Sequence, residues 1–184
     1  MKTVYFDVDT QLDFVYPSGA LYVPGAEHIV GRIVHLNQQA AALGIPVVST
    51  TDAHAETDPE FKVWPPHCIS GTIGQRKPAG TILGGGAQQI IVEKQALDCF
   101  TNPELPAILA RLGAERYVVY GVVTEYCVRF AVLGLLRSTG ARVELVTDAV
   151  KSLAEADSEK TLADAVAAGA VLTTVARVQE PVRL

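Results

Sequence analysis

The chain has 184 residues, 49% of them hydrophobic and 19% charged, with a net charge of −5. That length suits one domain with a sizeable core, and residues 1–184 read as a single domain. The acidic balance and the lack of a long basic run exclude the electrostatic footprint of a nucleic-acid binder. No apolar run reaches the roughly 18 residues that would cross a membrane, and no leader pattern is expected at the start.

Thr3–Asp9 alternates and is rich in β-formers, so a first strand is expected there. Residues 26–43 carry Ile29, Ile33, Leu36 and Ala40 at helical spacing and stop at Gly44. Residues 45–51 read as a second strand and 88–93 as a third. Residues 53–86 are long, rich in Gly and Pro and without period, which in a compact domain marks a functional loop. Within it, Arg76-Lys77 beside Pro78 reads as a solvated corner. Asn102-Pro103 predicts a helix start, running through Leu112 to Gly113. A fourth strand over 116–120 leads into a helix that contains Cys127 and ends near Gly140. A fifth strand over 142–147, an Ala-rich helix over 157–168 capped by Asp157 or Ser158, and a sixth strand over 170–175 complete the pattern. Alternating strands and helices predict an α/β fold: an open, mostly parallel six-stranded, Rossmann-like sheet with helices on both faces.

The polar residues gather at strand ends. Asp9 ends the first strand, Asp52 follows the second, Lys94 the third and Cys127 the fourth. Ligands of open α/β sheets bind outside the carboxyl ends of the strands, where strand order reverses. Cys127 opens a helix, where free N–H groups and the helix dipole favour thiolate; a free cysteine is also a common small core residue. Cys68, Cys99 and Cys127 are three in number and show no close pairing. They argue against a disulfide framework and fit a reducing, cytoplasmic setting. Asp52-x-His54 puts two ligands on one side of an extended segment, and His67 could join them from the loop. Carboxylate with imidazole suits zinc, iron or manganese. His28 and His35 lie on one helix face and read as solvent-facing, and Gly84-Gly-Gly86 lacks the spacing of a dinucleotide loop.

These residues also carry a resemblance. Asp9-Thr-Gln-Leu-Asp-Phe14, Thr51-Asp-Ala-His54, Trp64-Pro-Pro-His-Cys-Ile-Ser-Gly-Thr72, Lys94 and Gly121-Val-Val-Thr-Glu-Tyr-Cys127 resemble, in order, the motifs of the nicotinamidase branch of the isochorismatase-like cysteine hydrolases. The resemblance implies an amidohydrolase: Cys127 as nucleophile forming a thioester, Asp9 as proton carrier and Lys94 as stabilising cation. It implies an oxyanion hole from the N–H groups of Val123 and Cys127, with a cis Val122–Val123 bond. Nicotinamide would be the substrate and nicotinate and ammonia the products. A divalent metal, zinc first, would be held by Asp52, His54, His67 and Glu60, without the Cys68 thiolate. Phe14 and Trp64 would flank the substrate ring, Tyr126 would line or merely pack the pocket, and the enzyme would form homo-oligomers with no nucleic-acid or membrane partner. Some features depart from that branch. The stretch from His54 to Trp64 and the connection from Lys94 to the fourth strand are short, which leaves open a related hydrolase of another carboxamide or carbamoyl compound. A noncatalytic binding module of the same fold is the alternative of another class; retention of Asp9, Lys94 and Cys127 weighs against it.

Overall fold

A computed structural model describes residues 1–178. Its six strands are β1 (Thr3–Val8), β2 (Val47–Asp52), β3 (Gln89–Lys94), β4 (Arg116–Val122), β5 (Arg142–Lys151) and β6 (Val171–Thr173). They form one sheet in the order β3-β2-β1-β4-β5-β6, and every neighbouring pair is parallel. The order therefore reverses between β1 and β4. Helices α1 (Leu12–Val15), α2 (Glu27–Ala42), α3 (Leu105–Leu112), α4 (Arg129–Thr139), α5 (Glu155–Ala167) and α6 (Val175–Val178) connect or flank the strands.

Both sheet faces are covered, so the central strands read as continuous apolar runs rather than alternating ones. In β4 every residue is buried. Tyr117 and Val119 pack with Leu105 and Leu109 of α3 and Val132 and Leu135 of α4. Val118, Tyr120 and Val122 pack on the opposite face with Ile29, Ile33 and Leu36 of α2. Left-handed glycines just beyond α3 and α4, Gly113 and Gly140, stop those helices as expected.

Several boundaries differ from the sequence expectation. α3 begins at Leu105 because Asn102 closes a turn first, its side chain accepting from the Glu104 N–H at 2.8 Å. α5 starts at Glu155 after Ala154, so neither Asp157 nor Ser158 caps it. Glu155 and Asp157 sit in its first turn instead, where negative charge meets the positive end of the helix. β4 and β5 each run longer than expected, with a register shift between Val119 and Gly121 that lets their pairing resume at Gly121 and Val150.

Lys77 is a larger correction. It is buried rather than solvated, 3.0 Å from Asp7 Oδ2, and it donates to the Thr10 carbonyl at 3.3 Å. Asp7 also accepts from Asn37 at 3.0 Å and from Thr10 Oγ1 at 2.5 Å. A buried carboxylate needs such partners, and the cation it recruits staples the 53–86 loop to the end of β1. Arg76, in contrast, is exposed, as are His28 and His35.

Gly121 lies at φ +123°, and a Cβ there would stand 2.0 Å from the Val8 carbonyl oxygen, in the backbone of the adjacent strand. Gly121→Ala is expected to lower unfolding free energy by about 3 kcal/mol in urea titrations, from a disallowed φ combined with overpacking. A loss below about 1 kcal/mol would show that β1 and β4 can part there without cost.

Candidate active site

The site lies at the carboxyl edge of the sheet, over the reversal between β1 and β4. Asp9 leaves β1 with φ +47°, a left-handed conformation that Asp adopts more readily than most residues. Its N–H bonds back to the Thr50 carbonyl at 3.1 Å, and Thr50 Oγ1 donates to its Oδ1 at 2.6 Å. Lys94 is the last residue of β3, buried, and reaches across β2. Its Nζ lies 2.9 Å from Asp9 Oδ2 and 3.6 Å from Cys127 Sγ. It also donates to Asp52 Oδ1, a contact the motifs did not reveal. Cys127 is 5% exposed. The Val122–Val123 bond is cis, as the resemblance implies.

Cys127 does not open a regular helix. It sits in a π-turn, Thr124–Val128, which precedes α4. The thiol is also less acidic than its placement suggested. Burial pushes its pKa well up, the Lys94 ammonium opposes this, and the Asp9 and Asp52 carboxylates reinforce it. Burial raises Asp9 too, against the pull of Lys94, which makes it a stronger base than an exposed aspartate. For Lys94 burial favours the neutral amine, yet the Asp9 and Asp52 carboxylates outweigh it and hold the ammonium form. Asp52 shows the opposite balance to Asp9: burial raises its pKa, but Lys94, His54 and His67 together bring it below the usual carboxylate range. The resting site is thus a thiol beside a basic carboxylate, with one buried cation holding both carboxylates.

Asp52, His54 and His67 converge, with one ligand atom from each lying within 4.8 Å of the others. Asp52 Oδ2 is 3.8 Å from His54 Nε2 and 3.7 Å from His67 Nε2, while its other oxygen serves Lys94. His54 is fully buried, and neither of its ring nitrogens has a well-directed hydrogen-bond partner. A buried imidazole left in that state beside a carboxylate and a second imidazole fits a divalent cation. Glu60 stands in the wall of the same cavity, where burial raises its pKa; it is outside the close three-residue cluster. Cys68 is also outside that cluster, its thiol pushed up by burial.

The cleft encloses about 410 Å³ including its mouth, which is toward the small end of ligand pockets. Asp52, Glu60 and His67 form its polar end, Cys127 and Val123 part of its floor, and Phe14, Trp64 and Tyr126 its aromatic walls. Trp64 and Tyr126 meet edge to face at 5.3 Å, so Tyr126 both lines the cleft and braces the tryptophan. Sequence reasoning missed three supporting residues. Gln11 clamps the Asp52 backbone, accepting from its N–H at 2.6 Å and donating to its carbonyl at 2.8 Å. Thr50 orients Asp9, and Phe61 packs against both His54 and His67. Gln11 and Thr50 belong to stretches whose neighbours were singled out; polar residues at buried strand ends were the available signal.

Known proteins are similar to this chain over most of its length. The chain is 26% identical to the nicotinamidase of Escherichia coli (strain K12) over 206 residues, covering 94% of this chain and 95% of that protein. It is 24% identical over 157 residues to a probable inactive nicotinamidase of Arabidopsis thaliana, covering 80% of each. The structure of a pyrazinamidase of Pyrococcus horikoshii in complex with zinc superposes with a TM-score of 0.86 at 29% identity, over 95% of this chain and 99% of that one. The isochorismatase domain matches residues 3–177, which takes in all six strands and the whole cleft, so the chain belongs to the isochorismatase family.

Proposed function

We propose that the protein is a cysteine-dependent amidohydrolase that converts nicotinamide and water to nicotinate and ammonia. The observation that carries this reading is the position of Lys94. One buried ammonium touches Asp9 and Cys127 on one side and, through Asp52, the Asp–His–His cluster on the other. Thiol chemistry and a metal-binding end thereby share one small cleft. The named activities of the E. coli and P. horikoshii relatives fit that cleft.

The amide carbonyl would sit over Cys127, its ring between Phe14 and Trp64. Asp9 takes the thiol proton as sulfur attacks the carbonyl carbon, so the thiolate forms only as the bond is made. The N–H groups of Val123 and Cys127 receive the developing oxyanion. Asp9 then gives its proton to the departing nitrogen, ammonia leaves, and a thioester remains. Asp9 next deprotonates water, which attacks the thioester; the carboxylate product departs and the sulfur recovers its proton. Lys94 stabilises each anionic stage and keeps Asp9 within reach of the sulfur. Asp52, His54 and His67, with Glu60 beside them, would hold a divalent metal, zinc in the first instance, which supplies a Lewis-acidic anchor for the substrate's ring nitrogen.

Ammonia release from nicotinamide, pyrazinamide and an N-carbamoyl amino acid, together with the disappearance of isochorismate, tests the assignment. Nicotinamide turnover is expected, falling at least about tenfold after chelation and returning with added zinc. Turnover of the carbamoyl compound with none of nicotinamide would reassign the substrate. Inertness toward every compound would select a noncatalytic role, which the name of the Arabidopsis relative raises.

A further inference from the structure

His54 has two ring nitrogens in different surroundings. Nε2 faces Asp52 Oδ2 and the edge of the His67 ring, the side on which the three candidate ligands meet. Nδ1 faces away from them, 3.1 Å from Asp58 Oδ2, a short contact although not a well-directed one. Asp58 is itself held in place. Its N–H donates to the Ala55 carbonyl at 3.1 Å, and its other oxygen caps the short turn Pro59–Lys62 by accepting from the Glu60 N–H at 2.9 Å. The side chain is 10% exposed, so water does not readily replace it.

A neutral imidazole carries one proton, and the nitrogen without it supplies the lone pair for a metal. A carboxylate can only accept, and Asp58 at 3.1 Å from Nδ1 is nearer than Asp52 at 3.8 Å from Nε2, so the proton is favoured on Nδ1 and Nε2 is left bare. His67 follows the same rule by a different route. Its Nδ1 lies 2.8 Å from the Pro65 carbonyl, another pure acceptor, and its Nε2 points to Asp52. Both rings are thus set with the same nitrogen toward the cluster, each by an acceptor behind it.

We propose that Asp58 is a positioning residue of the metal site: it fixes the tautomer and orientation of His54 so that Nε2 can ligate a divalent cation. This rests on reading Asp52, His54 and His67 as the ligands. It also explains how a cap four residues after His54 ties the turn bearing Glu60 to the same imidazole. Outer partners of this kind typically change metal affinity by about 10- to 100-fold when altered.

Asp58→Asn is the informative variant. Its amide oxygen can still cap the Glu60 N–H, which turns the NH₂ group toward His54. A donor there favours the proton on Nε2, the nitrogen the metal needs. Zinc affinity of the full-length protein, measured by competition with a chromophoric chelator, is expected to fall by about 10- to 100-fold with thermal stability unchanged. Nitrogen-15 NMR of the imidazoles in metal-free protein, at alkaline pH where the rings are neutral, should show the His54 proton on Nδ1 in the wild type and on Nε2 in the variant. Zinc affinity of Asp58→Asn within about twofold of wild type, or an Nε2-protonated His54 in the wild type, overturns the proposal. A wild-type protein that binds no zinc at all, with His54 protonated on Nδ1, instead removes the ligand reading on which the proposal stands.

Discussion

Cys127→Ala is expected to lower ammonia release from nicotinamide by about 10³-fold or more, with little change in the melting temperature. The size of the loss follows from the absence of a substitute. Among the described residues the cleft wall holds one thiol; Cys68 and Cys99 are buried elsewhere, and burial raises the pKa of each. Cys127→Ser should fall nearly as far. A serine hydroxyl is far less acidic than a thiol, and Asp9, although made more basic by burial, is still a carboxylate. Asp9 can assist a thiol whose proton leaves as sulfur bonds to carbon, but it is a poor match for an alcohol. The alanine variant should still bind substrate, because Phe14, Trp64 and the polar end of the cleft are untouched. Nicotinamide turnover by Cys127→Ala within about tenfold of wild type would remove sulfur from the reaction and with it the thioester route.

The fold was legible because its signals are local. Apolar periodicity marked α2, Gly113 and Gly140 marked helix ends, and the apolar run from Tyr117 marked a strand buried on both faces. Strand order was not legible, since no residue states its neighbour; only the clustering of Asp9, Asp52, Lys94 and Cys127 at strand ends hinted at a common edge. What the sequence hid were contacts between distant positions and the balance of opposing electrostatic effects. Lys77 looks like a surface residue until the chain brings it 3.0 Å from Asp7. Asp52 looks like a metal ligand alone, yet one of its oxygens faces the imidazoles and the other serves Lys94. The Cys127 thiol illustrates the second kind of gap. Its position before α4 argued for an acidic thiol, but its pKa depends on how far burial outweighs a single ammonium, and burial wins. Motif spacing carries no information about that sum.

Lys94→Met tests the electrostatic frame that joins the two halves of the site. Methionine nearly matches the volume of the lysine stem, so the change removes charge more than packing. In metal-free protein it strands Asp9 and Asp52, 0% and 2% exposed, without their shared cation. Removing one partner of a buried ion pair costs about 3–5 kcal/mol, and that loss is expected in urea titrations near neutral pH. The pH dependence follows in sign. Lys94 lowers both carboxyl pKa values, so its removal raises both, and Asp9 is already raised by burial. A carboxyl whose folded pKa exceeds its unfolded value of roughly 3.9 holds more protons in the folded state between the two. Stability therefore falls as pH rises through that interval. In the wild type Asp52 acts in the opposite sense: its folded pKa is depressed, so its contribution is present above the unfolded pKa and is lost as pH falls toward the folded value. The variant should consequently gain stability relative to wild type on going from pH 7 to about 5, as its stranded carboxylates take up protons. Activity should fall with it, because a protonated Asp9 can no longer accept the Cys127 proton. A variant less than about 1 kcal/mol weaker than wild type, with the same pH slope, would mean that the two carboxylates do not depend on Lys94. The link between thiol and metal-binding end would then be geometric only.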